Sequence, residues 1–321
     1  MTIKPLEKND RTRYSEYAKF YGTIFNSLEW LSVFRERAQA FGIYNKNDEL
    51  IGGFLLYHER KFGLSIYRTP PFTTSVGPFL KMDARNPSSI SDTWKNTLNV
   101  IATFLDDLPY SVVSFSMHST VVDTQPFLWK KFKVSPRYTY VLDLSGSFED
   151  IMKKMSSERR HNISKAKKDG VAVKQTRQYG LVKSLIVKTF ARQNEAIDMS
   201  YLDRILFEFA SDRNSFAFLA LRNEEPIACI FCIYDNQVAY YLFGGYDSDN
   251  KHVGAGALAM WRAICHAKDM GLRWFDFEGS MISQVERFFR GFGGTLTPYY
   301  QINKARLPIE IILKFFKRET Y

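Results

Sequence analysis

The chain has 321 residues, of which 45% are apolar and 16% aromatic, so it is long and apolar enough to bury a large core and is neither disordered nor fibrous. No stretch approaches the ~20 apolar residues of a membrane span, and the N-terminus lacks a signal-peptide pattern, so we expect a cytoplasmic protein. The formal charge of +10 favours an anionic partner, such as a nucleotide-bearing cofactor, RNA, an acidic carrier protein or a lipid surface.

The first part of the chain is predicted to mix short helices and strands. Two proline-containing breaks interrupt the strand-like segment Leu64–Leu80, which favours a sheet edge or a loop that shapes a pocket. In chain order, the other predicted elements are a helix over Leu28–Ala40, a hairpin of Gly42–Asn45 with Leu50–Tyr57, a helix over Ser89–Leu108, a strand over Val112–Met117, a helical turn over Phe127–Phe132 and a strand over Tyr138–Leu144.

A strongly basic helix is predicted next. Ser147, with an acidic residue three positions later, begins it, and Gly170 is a suitable C-cap. Arg159, Arg160 and Lys165 lie within it, and we expect them to contact an anionic substrate or an RNA backbone, the alternative being a solvated charged face.

The second part of the chain is predicted to contain two helices, three antiparallel strands and a glycine-rich loop that leads into a helix. Tyr240 and Tyr241 lie on the third strand and are expected to line the acceptor groove, and Gly244–Gly245 is expected to break that strand. The predicted elements are helices over Tyr179–Glu195 and Tyr201–Ser211, strands over Gly170–Gln175, Phe216–Leu221, Ile227–Tyr234, Ala239–Phe243, Trp274–Glu278 and Leu296–Ile302, and a helix over Ser283–Gly291.

The tail Leu307–Arg318 is apolar and ends in two basic residues. Roughly ten residues are too few to cross a bilayer. Two hypotheses follow: the tail packs on its own domain, or it makes a peripheral contact with the inner face of the membrane or with a partner.

Cys229 and Cys232 form a C-x-x-C pattern within an apolar strand. Residues three apart point to opposite faces of a strand, so the two thiols are not expected to share a metal ion or to act as a redox pair. The three cysteines suit a reducing compartment, and the sequence predicts no metal-ligand cluster.

A weak internal repeat indicates two domains. Asn47–Tyr57 aligns without gaps on Asn223–Ile233, and Leu128–Tyr140 aligns on Phe288–Tyr300. We therefore predict domains over residues 1–140 and 141–321, of which the first has no counterpart of the glycine loop.

The segment Lys251, His252, Val253, Gly254, Ala255, Gly256 and Ala257 is predicted to hold the donor. Helix N-termini offer unpaired N–H groups and a positive dipole to an anion. The segment is not a P-loop, since no Gly-Lys-Ser/Thr follows. It is not the dinucleotide fingerprint either, because only one Gly-x-Gly is present and the preceding strands look antiparallel, without a βαβ unit. It does fit the short [QRK]-x-x-G-x-[GA] loop known from the GNAT acyltransferases.

Three stretches, Asp143–Val171, Gly271–Ser280 and Phe288–Ile302, resemble the FemAB/CelD-like acyltransferases. The resemblance implies an α/β fold of two tandem GNAT-like domains, each a mostly antiparallel sheet flanked by helices. It also implies an N-acyltransferase acting on an amine of a cell-envelope or polysaccharide precursor, with acyl-CoA or an acyl carrier protein as donor and the first domain binding the acceptor. The alternatives are transfer from aminoacyl-tRNA to a peptidoglycan precursor, and a non-catalytic docking protein.

Amine acylation needs a base, a proton donor for the leaving group and donors for the oxyanion. We expect Glu278 as the base, with Asp276 on the same strand face and Glu286 as further candidates, and Tyr299 as the proton donor. The backbone N–H groups of Phe243, Gly244 and Gly245 are expected to meet the oxyanion. Each carboxylate has an alternative as a structural partner of a nearby arginine, and each N–H as part of an ordinary bulge. Tyr299 has an alternative as a core residue of the closing strand, and the glycine loop as a helix N-terminus with small residues for packing.

Overall fold

The computed structural model describes residues 1–193, 196–279 and 281–316. The predicted helix end at Glu195, the last residue of the Gly271–Ser280 stretch and the basic pair Lys317 and Arg318 lie outside these residues. The chain divides into two compact units: Met1–Arg137 with the segment that starts at Pro298, and Tyr138–Thr297. The sequence placed that returning segment in the second domain, whereas it packs within the first unit.

The first unit is a mixed sheet with helices. Its strand order is β1-β2-β3-β4-β6-β13, with β5 beside β3, and only β4 and β6 run parallel. The strands are β1 (Thr2–Pro5), β2 (Ala38–Tyr44), β3 (Leu50–Lys61), β4 (Leu64–Arg68), β5 (Phe79–Leu80), β6 (Val112–Ser116) and β13 (Thr295–Ala305). The helices are α1 (Arg11–Tyr21), α2 (Leu28–Ser32), α3 (Pro87–Asp107), α4 (Gln125–Trp129) and α11 (Leu307–Phe316).

The second unit has the strand order β7-β12-β11-β10-β9-β8, in which only β11 and β12 run parallel. The strands are β7 (Lys133–Asp143, of which Tyr138 onward belongs to this unit), β8 (Ala172–Thr176), β9 (Ser215–Arg222), β10 (Glu225–Tyr234), β11 (Val238–Tyr246) and β12 (Trp274–Asp276). The helices are α5 (Phe148–Lys154), α6 (Ser157–Lys168), α7 (Tyr179–Arg192), α8 (Met199–Asp203), α9 (Ala255–Asp269) and α10 (Ser283–Arg290).

The helix predicted over Leu28–Ala40 is wrong in its second half. The α-helix ends at Ser32, and a short 3-10 turn leads to β2, which begins at Ala38. Arg35 has a positive φ of 51°, which an α-helix does not accommodate. The apolar residues after the turn are buried in the sheet, so burial in a strand overrides the helical spacing.

The basic helix predicted from Ser147 to Gly170 is two helices. Met155 is extended, and Ser156 caps the second helix by accepting a hydrogen bond from the N–H of Arg159. A serine that competes as an N-cap breaks a helix that charge and length would otherwise allow.

One core cluster of the second unit lies between α9 and one face of its sheet. Cys232 belongs to this cluster, whereas the thiol of Cys229 lies near the carbonyl of Val182 on α7. The two thiols therefore lie on opposite faces of β10, and this prediction is confirmed. Both are buried, and burial raises the pKa of the Cys229 thiol to about 12, so it stays protonated at neutral pH.

Candidate functional site

The candidate site lies where the parallel strands β11 and β12 part. Their register joins Val238 to Trp274 and ends with Tyr240 opposite Asp276. Beyond this point β11 stays beside β10 as far as Tyr246, whereas the N–H of Phe277 donates to the carbonyl of Tyr140 on β7. The two strands therefore diverge at their carboxyl ends, which is where α/β sheets bind ligands.

The loop that follows β11 is fixed on one side by an acidic residue. Asp247 Oδ2 lies 2.8 Å from Nζ of Lys188 on α7, and the N–H of Asp247 donates to the carbonyl of Ile227. The Lys188 ammonium lowers the pKa of Asp247, which keeps the carboxylate charged. The chain therefore leaves β11 along a defined path.

On its other side the loop is fixed by His252, which the sequence placed in the donor segment without a partner. Its Nδ1 accepts a 3.1 Å hydrogen bond from the N–H of Gly254, so the ring proton is on Nε2, which lies 3.0 Å from Oδ2 of Asp169. Asp169 is also held by Lys165, which is the first cause of its lowered pKa. Nothing in the spacing of residues 169 and 252 signals this contact.

The two glycines of the loop differ in their surroundings. A Cβ on Gly254 would lie 2.0 Å from the carbonyl oxygen of Asn162, so this glycine lets α9 approach α6. A Cβ on Gly256 would have no atom within 4 Å. Gly256 is therefore free to meet a ligand, whereas Gly254 serves packing. Lys251 and Val253 are exposed beside them, and Ala255 and Ala257 begin α9 with buried side chains.

The predicted strand break at Gly244–Gly245 is wrong, because β11 continues through Phe243 and both glycines to Tyr246. A Cβ on Gly244 would lie 1.8 Å from the Tyr241 hydroxyl, and one on Gly245 would lie 2.4 Å from the backbone of Leu185. These glycines thus make room for a tyrosine and for α7. The pairing with β10 shifts between Phe243 and Tyr241, so a β-bulge lies at Leu242, two residues before the expected break.

Asp276 is the carboxylate at the point of divergence. Its Oδ1 accepts hydrogen bonds from the Thr139 hydroxyl and from the N–H of Glu278, the latter at 2.8 Å. Burial raises the pKa of Asp276 to about 6, and these two hydrogen bonds only partly oppose the rise. A pKa close to the working pH is the property that a general base needs.

Glu278 lies just past the end of β12, not on it as predicted. Its φ is +59°, followed by +71° at Gly279, where a Cβ would lie 2.1 Å from the carbonyl of Tyr138. A glutamate in this conformation is strained, and such strain is concentrated at functional sites. The side chain is half-buried.

Glu286 lies apart from these two carboxylates. Its Oε1 accepts a 2.6 Å hydrogen bond from the Tyr140 hydroxyl and lies 3.0 Å from Nε of Arg290. Tyr140 and Thr139 are consecutive on β7, so they face opposite sides of the sheet, as do Glu286 and Asp276. Glu286 therefore has an arginine partner, in agreement with its alternative interpretation as half of a structural ion pair.

The predicted substrate-binding residues of the basic segment are engaged within the protein. Arg159 is 5% exposed, and its guanidinium lies 4.4 Å from the ring centre of Phe288. Arg160 donates to the carbonyls of Lys153 and Met155 at the end of α5. Lys165 forms its ion pair with Asp169, 2.9 Å away. The exposed charged residues of α6 are Glu158, Arg160, Lys165, Lys167 and Lys168, of which Lys167 and Lys168 lie in its last turn.

The predicted tyrosines have separate environments. The hydroxyl of Tyr240 donates to Oδ2 of Asp235 at 2.9 Å, and burial raises its pKa well above the usual range. Tyr241 packs edge-on against Phe289 of α10, and burial raises its pKa too, so both hydroxyls are protonated at neutral pH. Tyr299 lies on β13, in the segment that belongs to the first unit, and its role as proton donor stays a prediction.

The first unit repeats the parallel strand pair and fills the corresponding space. Ile66–Arg68 pair with Val112–Ser114, as β11 pairs with β12. The following segment then turns back onto β6: the N–H of Ser116 donates to the Thr69 hydroxyl at 2.8 Å, and the N–H of Val76 donates to the carbonyl of Ser116 at 3.2 Å. In this unit the chain itself occupies the edge that stays open in the second.

The described residues contain no group of three or more His, Cys, Asp or Glu side chains placed to hold a metal ion. They also contain no helix that is both long enough and apolar enough to cross a bilayer.

Comparison with known proteins supports an acyltransferase. A model of the GNAT acetyltransferase domain matches residues 183–289, and a model of the FemAB family matches residues 129–222. No curated protein matches the chain. The two models confirm the resemblance inferred from the sequence, and the chain is an acyltransferase.

Solved structures share the fold across nearly the whole chain. FemX is 12% identical with a TM-score of 0.69, and covers 98% of this chain and 99% of its own. L-PGS from Bacillus licheniformis is 12% identical with a TM-score of 0.57, over 99% of this chain and 98% of its own. A tandem GNAT protein from the clavulanic acid biosynthesis pathway is 10% identical with a TM-score of 0.50, over 94% and 97%. The tandem GNAT-like fold is thereby confirmed.

Proposed function

We propose that the second unit transfers an acyl or aminoacyl group from an activated donor to an amine of a cell-envelope or polysaccharide precursor. The donor in this proposal is acyl-CoA or an acyl carrier protein. The observation that carries it is the divergence of β11 and β12 after the Tyr240–Asp276 pair, at a carboxylate whose pKa is about 6, together with the Lys251–Ala257 loop that leads from β11 into α9.

The loop would hold the phosphate-bearing arm of the donor. Lys251 is exposed at the start of the segment, and α9 begins without a side-chain cap. The first N–H of the helix, that of Ala255, donates to the carbonyl of His252, so phosphate oxygens would meet the N–H groups that follow it. His252 and Gly254 keep the loop in place, and the open side of Gly256 lets a ligand approach the backbone.

Asp276 would accept the proton from the attacking amine. The amine nitrogen then bonds to the carbonyl carbon of the donor, and the bond from that carbon to the leaving sulfur or oxygen breaks. Protonated Asp276 would then pass the proton that it took from nitrogen to the leaving sulfur or oxygen, which balances the step. Glu278, close by and held in a strained backbone conformation, would position the amine.

The first unit would bind the acceptor and not a donor. Its own chain fills the space between β4 and β6, so the cleft that the second unit offers is closed there. We place the protein in the cytoplasm, at the inner face of the membrane where envelope precursors are assembled.

A decisive test is equilibrium binding of coenzyme A and of an acyl carrier protein to the full chain, followed by transfer assays with amine acceptors. Stoichiometric binding that Lys251→Glu weakens supports the proposal. The proposal would be overturned if neither donor binds, or if the donor binds equally well to the wild type and to Lys251→Glu.

A second candidate uses aminoacyl-tRNA as the donor and a peptidoglycan precursor as the acceptor. The match to the FemAB family model and the exposed lysines at the end of α6 favour it. Charged tRNA would then bind with a steep salt dependence, whereas coenzyme A would not bind.

A further inference from the structure

The C-terminal helix α11 has an apolar outer face. Its inner residues Ile309 and Leu313 pack against a small cluster that contains Val112 and Ala305. The outer residues remain in water, and their exposure is large: Leu307 73%, Ile311 52%, Ile312 56% and Phe315 83%. Contiguous exposed apolar side chains of this kind mark an interaction surface.

A second exposed apolar residue lies at the tip of the hairpin that joins β3 and β4. Phe62 is 91% exposed and has a φ of +52°, and Gly63 follows with +76°. Since Lys61 pairs with Leu64, these two residues form the whole turn. Turns of this type favour asparagine or glycine at the first position, and a phenylalanine there is strained. Neither turn geometry nor burial accounts for an aromatic side chain at this position.

Hydrogen bonds connect the turn end of this hairpin to the start of α11. The N–H of Ser111 donates to the carbonyl of Ser65 at 2.7 Å, and the N–H of Arg306 donates to the carbonyl of Ser111 at 3.0 Å. Ser65 is three residues from Phe62, which corresponds to about 10 Å of strand. Phe62 and Leu307 therefore lie at the same end of the first unit.

The charges around these residues are mostly positive. Arg60, Lys61, Arg306 and Lys314 are exposed. Of the nearby acids, Glu59 is bound to Arg68 at 2.8 Å and Glu310 to Lys314 at 2.7 Å. A second copy of the chain would bring like charges together, whereas an anionic bilayer would complement them.

We infer that Phe62 and the outer face of α11 form a docking surface for an anionic lipid bilayer. The apolar side chains would enter the boundary between head groups and acyl chains, and the basic residues would meet lipid phosphates. The inference goes beyond the proposed function, because it concerns the surface on which the protein docks and not the group that it transfers.

The experiment is vesicle flotation of the full chain, with phosphatidylcholine alone and with phosphatidylcholine mixed with phosphatidylglycerol. We expect binding to the anionic vesicles that weakens as salt is added. Phe62→Asn should weaken binding about tenfold, since a buried phenylalanine is lost. Asparagine suits the turn, so the hairpin should keep its stability. Ile311→Ser with Phe315→Ser should have an effect of similar size.

Phe20→Ser is the matched control, because Phe20 is an exposed phenylalanine on α1. Its binding should equal that of the wild type. Coenzyme A binding, measured on the same variants, reports on the proposed function separately. The inference is overturned if wild-type protein does not float with anionic vesicles, if Phe62→Asn binds as well as Phe20→Ser, or if these changes act only by dissolving a dimer.

Discussion

The backbone N–H of Glu278 donates a 2.8 Å hydrogen bond to Oδ1 of Asp276, so the two acidic residues are joined through the main chain. The turn that brings them together requires the positive φ of Glu278 and of Gly279. The Asp276 carboxylate receives this bond and that of the Thr139 hydroxyl, at the place where β11 and β12 part. The arrangement gives the two residues different roles.

The first prediction concerns the pH dependence of transfer. If Asp276 is the base, kcat/KM rises with pH and levels off above about 6, the raised pKa of this carboxyl. Asp276→Asn should lower kcat/KM by about 100-fold or more and remove the rising limb. Glu278→Gln is the matched comparison, and it should lower the rate while keeping the limb. The assignment fails if Glu278→Gln removes the limb and Asp276→Asn does not.

Thr139→Val provides an independent test of the same carboxyl. The Thr139 hydroxyl stabilises the charged form of Asp276 and thus lowers its pKa. Without this donor the rising limb should move to higher pH, with the plateau rate largely retained. An unchanged profile would show that the titrating group is not Asp276.

The second prediction concerns stability. Burial raises the pKa of Asp276 from 3.8 to about 6, so the folded state holds a proton that the unfolded state has already lost between these values. The free energy of unfolding therefore falls as pH rises through this range, by up to about 3 kcal/mol. In Asp276→Asn this contribution should vanish. Urea unfolding of both proteins at pH 4.5 and 7, with the difference taken between them, should show about 2 kcal/mol of this contribution. Equal changes in both proteins would contradict the prediction.

Much of the second unit could be predicted because its signals are local. The three antiparallel strands, polar turns and glycine loop depend on alternation and on turn residues, and the structure has them in that order. The length of β11 could not be predicted. A Gly-Gly pair such as Gly244 and Gly245 is typical of a strand break, yet the strand continues through both. Larger residues do not fit there, because the Tyr241 hydroxyl and the backbone of Leu185 occupy the space that a Cβ would take.

The candidate site was predictable in its residue types and not in its contacts. Asp276 and Glu278 were identifiable as carboxylates near a strand end, but Thr139, which is 137 positions away, determines the environment of Asp276. Likewise, Asp169 fixes His252 across 83 positions. Such pairs depend on which strands and helices become neighbours in the fold, and local sequence patterns do not predict those neighbours.

The third prediction uses the two loop glycines as a matched pair. Gly254→Ala places a methyl group 2.0 Å from the Asn162 carbonyl, so α9 must move away from α6 and the free energy of unfolding should fall by about 1–3 kcal/mol. Gly256→Ala meets open space and should leave stability unchanged or raise it by up to about 1 kcal/mol.

Donor binding should distinguish the same pair. A methyl group at Gly256 would obstruct the approach of phosphate to the backbone, so the Kd for coenzyme A should rise although the fold is intact. If Gly256→Ala binds the donor as the wild type does, the loop is not the phosphate site.

The fourth prediction separates packing from nucleic-acid binding on the basic helix α6. The Arg159 stem and guanidinium are buried on Phe288, so Arg159→Ala should lower the free energy of unfolding by about 2–4 kcal/mol. Lys167→Glu with Lys168→Glu changes exposed residues and should leave stability within about 0.5 kcal/mol for each residue.

Binding of tRNA then tests the second candidate function on a folded protein. If α6 contacts tRNA, the double lysine variant should bind more weakly, and the slope of log K against log salt should become shallower by about 1 for each lost phosphate contact. Arg159→Met, which keeps most of the buried volume, should bind tRNA as the wild type does, because its guanidinium does not reach the surface of the helix that the lysines line. Equal tRNA binding by the lysine variant and the wild type would exclude this helix as the tRNA contact, and would leave the carrier-protein and coenzyme A donors as the ones to pursue.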